Sequence, residues 1–367
     1  MQEPIKWPSI GHFRNVVSSV AYRTQFTGTF DDQGAPVLDA TKRLPSLRFR
    51  GTVKLHGCNS GVIQDNEAGS LVAQGREIIL TPELDGYKFY QFSLAQEPLL
   101  KTLCQQLASL RTPAVELFLK DNPDAKFVLF GEWCGQGVQK KCAVGKLEKL
   151  FAVFRAGYAG ALPDDISRDD RPFVWLPPEQ VAAAVANEAC AAARIFHIEN
   201  FPVFDRVVDF NDPDAFLAEA AELTRQVEQR CPVGAAFGIE GIGEGIVWQC
   251  VEPGWEHPRY TCKIKGDKHK VSKTDNTSTI DPEVAANIDK FVEMTATDAR
   301  MEQGQAVLEA RGVTLNKTTI GEFLGWVARD ILKEEADLIA AANVEVKLLT
   351  KAINKAATTW LRQNGIL

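Results

Sequence analysis

The sequence predicts an α+β fold: an antiparallel-sheet domain followed by an all-helical C-terminal domain. Three observations predict it. Residues 47–63 alternate in polarity and are rich in β-branched side chains, as strands half-buried on a sheet are. Further short strand signals recur at Leu71–Ala73, Phe127–Phe130, Leu150–Phe154, Gly245–Gln249 and Tyr260–Lys265. After about Asp281 the strand signals stop and helical periodicity takes over.

Taken in order, residues 47–63 turn at His56-Gly57, which reads as two antiparallel strands joined by a tight loop. Pro178 to Phe196 reads as a helix. Asp212-Pro213 is a helix start, with Asp as N-cap and Pro in the first turn. The helix it opens runs to about Arg230, with Phe216, Leu217, Ala220, Leu223 and Val227 at helical spacing. The sheet is therefore expected to be interrupted by an acidic helical insertion at about 157–232. The last part carries helical periodicity over Ala285–Met294, Thr297–Arg311, Thr318–Asp337 and Val344–Gln363, with a short loop around Gly312–Asn316. The expected domains are 1–280 and 281–367.

Composition excludes several classes. The chain has 367 residues, 45% hydrophobic and 24% charged, which is too apolar for general disorder. No apolar run approaches the roughly 20 residues that cross a bilayer. The start lacks a basic region followed by an apolar one, so no secretory signal is expected, and a cytoplasmic location is. None of the eight cysteines forms a CxxC pair or a zinc-spaced set with histidine, so reduced thiols are expected. The net charge of −7 argues against nucleic acid only as an average. Residues 151–253 hold 7 basic and 17 acidic residues, whereas 1–53 and 254–279 are each net +3.

The chemistry-bearing motifs lie outside the insertion at about 157–232. Lys54 sits between Val53 and Leu55 at a strand end, in Lys54-Leu55-His56-Gly57-Cys58-Asn59. Phe130-Gly131-Glu132-Trp133 ends an apolar strand with an acid. Glu244-Gly245-Ile246-Val247-Trp248 places another acid before a strand. In Tyr260-Thr261-Cys262-Lys263-Ile264-Lys265, alternation sends Lys263 and Lys265 to one face. Each feature alone fits a surface charge at a strand end; their order makes coincidence a poor account.

This ordered set, with Leu150–Phe154, resembles the motifs of covalent nucleotidyltransferases, the polynucleotide ligases and mRNA capping enzymes. The nearest likeness is to ATP-dependent RNA ligases of the phage RNA ligase 2 type, whose nucleophile motif is K-x-H-G-x-N. The stretch Gly131–Lys140 is similar to the segment after that group's third motif. The likeness covers 47–275 apart from the insertion. The helical tail, with Thr295-x-x-x-x-Arg300, is similar in type to that group's C-terminal domain.

The resemblance implies an antiparallel-sheet nucleotidyltransferase (ATP-grasp-like ligase) domain that joins RNA 5′-phosphate and 3′-hydroxyl ends. Lys54 would carry AMP as a phosphoramidate. An unperturbed lysine is protonated at neutral pH, so burial and the nearby Lys263 and Lys265 would have to favour the free amine. The same two lysines would neutralise the phosphates in transfer. Glu132 would accept from a ribose hydroxyl, Arg76 would contact ribose or phosphate, and Phe154 would stack on adenine. His56 and Asn59 would sit by the phosphate or the incoming strand. Glu244 would orient Lys54 and hold Mg²⁺ through water, with Mn²⁺ as an alternative ion. The implied partner is RNA, as a nicked duplex, bound by a monomer in RNA repair.

Three rivals remain at this point. DNA ligases and capping enzymes share the motifs, but usually follow them with a five-stranded OB-fold where this chain reads as helices. A degenerate RNA-end-binding protein and an ATP-binding regulatory domain are the others; the intact set Lys54, Glu132, Glu244, Lys263 and Lys265 argues against the former. The glycine-rich run Gly234–Gly245 lacks a Walker lysine and is no phosphate loop. Glu240-Gly241 mimics the acidic motif, but Glu244 precedes the apolar strand. His12, His197 and His257 have no partner at ligand spacing. The run Lys263–Lys273 carries five lysines and is expected to meet a phosphate backbone.

Overall fold

The structure, a computed structural model, describes residues 3–32, 34–64, 70–139, 141–163, 171–279, 287–310, 313–342 and 345–367, with the backbone alone at 310, 341 and 342. The expected boundary at Asp281, and Lys140, Ala285, Arg311, Gly312 and Val344 of the expected segments, lie outside the described residues.

Strands run in chain order as β1 (Phe26–Phe30), β2 (Pro36–Leu38), β3 (Ser46–Lys54), β4 (Cys58–Gln64), β5 (Leu71–Gly75), β6 (Lys126–Cys134), β7 (Leu150–Ala159), β8 (Phe173–Trp175), β9 (Ile195–His197), β10 (Val203–Asp209), β11 (Gly245–Cys250) and β12 (Thr261–Lys265). Helices are α1 (Phe13–Gln25), α2 (Phe89–Ala95), α3 (Glu97–Ala108), α4 (Pro113–Asp121), α5 (Pro178–Val185), α6 (Glu188–Ala192), α7 (Pro213–Gln229), α8 (Pro232–Ala236), α9 (Ile288–Thr295), α10 (Asp298–Ala310), α11 (Ile320–Glu334), α12 (Ala336–Ala342) and α13 (Val346–Gln363). Packing divides the chain into two units. One comprises Met1–Ser9, Thr52–Val203 and Gln229–Gly243; the other comprises Ile10–Gly51, Phe204–Glu228 and Glu244–Leu367.

The first unit is built on the sheet β5-β4-β6-β7-β8, with β9 added parallel to β7 and the other neighbours antiparallel. Strand alternation gives this sheet two apolar faces. Val62, Phe127, Leu129, Trp133, Phe151 and Val153 face a core closed by α2 to α5, through Leu100, Leu103, Leu107, Val115 and Val181. Ile63, Val128 and Phe130 face the other way, against Ile5 and Trp7. Gln74 pins that N-terminal segment, exchanging two 2.8 Å hydrogen bonds with the Ile5 backbone.

The second unit holds the sheet β10-β3-β11-β12 and the C-terminal helices. The last three residues of β3 pass into the first unit. Phe49, Ile246, Trp248 and Ile264 form the buried side of this sheet. Phe216 of α7 meets Trp248 edge-on at 5.1 Å, and Phe13 of α1 lies 5.0 Å from Phe216. The C-terminal helices share their own core. Phe323, Val327 and Ile331 on α11, and Leu349, Ile353, Ala357 and Trp360 on α13, recur at helical spacing and pack with Phe291, Met301 and Leu308. The fold is thus mixed α and antiparallel β, and it ends in helices.

Three expectations are corrected. The strands within 47–63 form but do not pair as a hairpin, since β3 lies beside β10 and β11 whereas β4 lies between β5 and β6. Gly57 has no positive φ, which a tight type I′ hairpin turn requires. Pro178 to Phe196 is two short helices and a strand. Asn187 stops the first and caps the second, its side chain accepting the Cys190 N–H at 2.8 Å, because an Asn competes better as a cap than inside a helix. The 157–232 stretch is not helical throughout: β8 and β9 join the first sheet and β10 joins the second.

Candidate active site

The candidate nucleophile motif leaves β3 at Lys54, and three residues later the chain presses onto the end of β6. A Cβ at Gly57 would lie 2.4 Å from the Trp133 carbonyl oxygen and 3.0 Å from Glu132 Cγ. Glycine is therefore needed here for close approach, and it seats the Lys54–Gly57 loop beside Glu132. Lys54 and His56 are half-buried, between the buried Val53 and Leu55 and the sheet end.

Register gathers further candidate residues at this end of the first unit. Asn59 on β4 lies directly opposite Glu132 on β6, which in turn opposes Ala152 on β7. Asn59 and Glu132 share the sheet face of Ile63 and Phe130 by alternation. The Asn59 side-chain oxygen is buried without a hydrogen-bond partner. Ser60 opposes Gly75, so Arg76 leaves β5 at the same sheet end. Its guanidinium is exposed, 3.4 Å from Ser9 Oγ.

Phe154 reaches this face through an irregularity in β7. Gly131 opposes Val153, whereas Phe130 opposes Arg155, which makes Phe154 the extra residue of a bulge. Its ring packs edge-on to Trp7, with centroids 5.0 Å apart. Gly131 permits the crowding beneath, since a Cβ there would meet Phe151 Cε2 at 2.4 Å.

Two residues that motif reading does not single out adjoin the loop. The Lys149 ammonium donates to the Tyr87 carbonyl at 2.9 Å, and burial holds it below the usual lysine range. Burial, reinforced by the Glu132 carboxylate and opposed by Lys149, pushes the Cys58 thiol well above the usual range. Cys58 is thus a neutral thiol, and all eight cysteines are free.

The second unit carries the other acid and the two lysines. Glu244 is 6% exposed, and its carbonyl accepts the Gly266 N–H at 2.9 Å. Gly245 opposes Lys265 and Val247 opposes Lys263. Gly245 has φ +155°, and a Cβ there would sit 2.2 Å from the Ile264 carbonyl, so only glycine lets β11 close on β12 at this point. Asn276 clamps the Lys265 backbone, accepting its N–H at 3.3 Å and donating to its carbonyl at 2.8 Å. Lys263 and Lys265 share one face of β12, and Lys263 Nζ donates to Glu334 Oε2 at 2.5 Å. Burial alone would raise the Glu334 carboxyl; Lys263, His12 and Lys265 outweigh it and hold the group well below the carboxylate range. Downstream, Lys270 pairs with Asp267 and Lys273 with Glu293. Glu240 is exposed and paired to Arg230, unlike the buried Glu244.

His12, expected to lack partners, lies with Asp275 and Glu335 in a buried cluster whose donor atoms fall within 4.8 Å. Burial keeps its imidazole below the ordinary 6.5, against the pull of Asp275. Both Glu335 oxygens already accept, from Arg14 and Thr274 at 2.8 Å and from Arg300 at 3.2 Å. A cation there would compete with two guanidinium groups, which disfavours a metal. No local motif marks Glu334 or Glu335, because their partners are distant in sequence. Thr295 and Arg300 of the tail are fully buried; Arg300 binds Asp330 and Glu335, and Thr295 bonds back to Phe291.

A model of the RNA ligase family matches residues 48–265. Solved structures similar to the chain include three of Naegleria gruberi RNA ligase. They are a variant with AMP and Mn and a variant with ATP and Mn, each 13% identical, and a form with PPi, 14% identical. Each match covers 73% of this chain and 58% of the other, with a TM-score of 0.40. The chain thus spans 58% of the length of the structures it matches. No curated protein matches it.

Proposed function

Since the chain belongs to the RNA ligase family, we propose that it seals RNA 5′-phosphate and 3′-hydroxyl ends with ATP, through AMP bound covalently to Lys54. The observation that carries this reading is the Lys54-x-His56-Gly57 loop seated by Gly57 against the Glu132 end of β6, within the matched segment.

The work falls into three transfers. The free Lys54 amine attacks the α-phosphorus of ATP; an N–P bond forms, pyrophosphate leaves and the amine loses a proton. An RNA 5′-phosphate oxygen then attacks that phosphorus. The N–P bond breaks, Lys54 regains a proton, and the RNA end carries AMP through a pyrophosphate link. Finally a 3′-hydroxyl attacks the RNA 5′-phosphorus, loses its proton and expels AMP. Proximity and charge neutralisation supply most of the catalysis in such transfers.

Lys263 and Lys265 neutralise the phosphates. Glu132 accepts from a ribose hydroxyl, and the partnerless Asn59 oxygen beside it suits a donor of the same kind. Arg76 contacts ribose or phosphate, Phe154 stacks on adenine, and His56 faces the phosphate or the incoming strand. The buried carboxylate of Glu244 orients Lys54 and suits a hard cation, Mg²⁺ or Mn²⁺, held through water. The bound cation would offset phosphate charge. The adenylyltransferase part is 1–280, and the helices of 281–367 select the RNA, a nicked duplex bound by a monomer in the cytoplasm. No described helix is long and apolar enough to cross a membrane.

Substrate choice tests the reading. With ATP and Mg²⁺, wild type should seal nicked RNA duplexes bearing a 5′-phosphate, and Lys54→Ala should not. Preferential sealing of all-DNA nicks, or labelling by GTP instead of ATP, would overturn it.

A further inference from the structure

The Lys263 ammonium already has an anion. It bonds to Glu334 at 2.5 Å, and the two side chains keep only 16% and 17% of their exposure. Glu334 ends α11, far along the chain from β12. Its aim is fixed by its neighbour. Glu335, fully buried, is gripped by Arg14, Thr274 and Arg300, which anchors the backbone at the α11–α12 junction. One turn back, Asp330 pairs with Arg300 at 2.9 Å and lies within electrostatic range of Lys263 and Lys265. The C-terminal helices therefore deliver a positioned carboxylate to a lysine of β12.

A phosphate oxygen reaching the same ammonium would meet this carboxylate. Two negative charges about 4 Å apart repel by about 1 kcal/mol even with water-like screening, and more where water is scarce. A polyphosphate can offer several charges to Lys263 and Lys265 together, whereas Glu334 offers one.

We propose that Glu334 is a resident anion of the Lys263 phosphate site: its carboxylate holds the ammonium when no phosphate is bound, and nucleotide phosphate displaces it. The C-terminal helices thereby set the affinity of the chain for nucleotide. This rests on the reading of Lys263 as a phosphate-binding lysine. Glu334 acts through Lys263, so it is a positioning residue.

Calorimetric titration of the full chain with inorganic tripolyphosphate tests it, because that probe cannot adenylate Lys54. Glu334→Gln keeps the shape and removes the charge. It should bind tripolyphosphate at least about fivefold more tightly than wild type, the factor that corresponds to the water-screened repulsion. The gain should vanish when Lys263→Met is added. Glu334→Asp, whose shorter carboxylate retreats from the ammonium, should shift binding in the same direction and by less. It serves if Glu334→Gln melts too low to titrate. Unchanged or weaker binding by a folded Glu334 variant, with or without Mg²⁺, overturns the proposal; weakening only with Mg²⁺ would mean that the carboxylate shares a cation with the phosphate. If Lys263→Met binds tripolyphosphate as wild type does, the phosphate role of Lys263 itself is wrong, and the inference falls with it.

Discussion

At the scale of single residues, this chain buries charge where it can pair it. Glu335 is fully buried and is held by two guanidinium groups and a hydroxyl. Unpaired, such a charge is strongly destabilising. His197 takes the other course and stays neutral. It is fully buried on β9 and accepts the Glu199 N–H at Nδ1. Burial, then the Arg155 charge, lowers its pKa from 6.5 to about 4. Below pH 6.5 the unfolded chain takes up a proton that the folded chain refuses. Stability should therefore fall as pH drops from 6.5 towards 4, and level off below, by about 3 kcal/mol from this residue. Urea unfolding across that window should show a shallower fall for His197→Asn than for wild type. Parallel falls would contradict the assignment. The roles of Glu334 and Glu335 could not be read from sequence, because they depend on remote partners. Lys263 and Glu334 lie 71 positions apart, and Arg14 and Glu335 lie 321 apart.

At the scale of elements, local pattern was a good guide to what forms and a poor one to what pairs. The alternation of 47–63 correctly marks two strands. It carries no information on their partners, and the chain sends them to different sheets. The bulge that turns Phe154 towards Trp7 was also invisible, because a single extra residue leaves the apolar pattern of 150–154 intact. Glycines are where elements meet most closely. Gly57 lets the loop after Lys54 touch β6. A methyl group there must push the loop away from the Trp133 carbonyl, and a displacement of about 1 Å at a reacting group can cost about a hundredfold in rate. Gly57→Ala should therefore slow adenylation by about that factor while thermal melting shifts by only a few degrees, since the clash sits at the sheet's end. Near-normal labelling by this variant would show that the seat of the loop is not what aligns Lys54.

At the scale of the whole molecule, the −7 net charge proves an uninformative average. The acidic block 151–253 spans nearly all of β7, β8 to β11 and α5 to α8, while Lys263 and Lys265 lie in the basic stretch beyond it. Local field, not total charge, decides what a surface binds. Fold class was legible from the switch between alternating and helical periodicity, a property that survives in any packing. The division into two compact units was not, because each is assembled from three separated stretches of chain. The candidate site residues could be named from sequence because most lie in short motifs in or beside strands, and register then sets which of them share a sheet face. The proposed function rests on a covalent bond between AMP and one lysine. The most direct test is to incubate the chain with ATP and Mg²⁺, digest it, and map the added mass of AMP by mass spectrometry. The adduct is expected on the peptide containing Lys54 and lost in Lys54→Ala; an adduct on another residue, or none from active wild type, would contradict the proposed function.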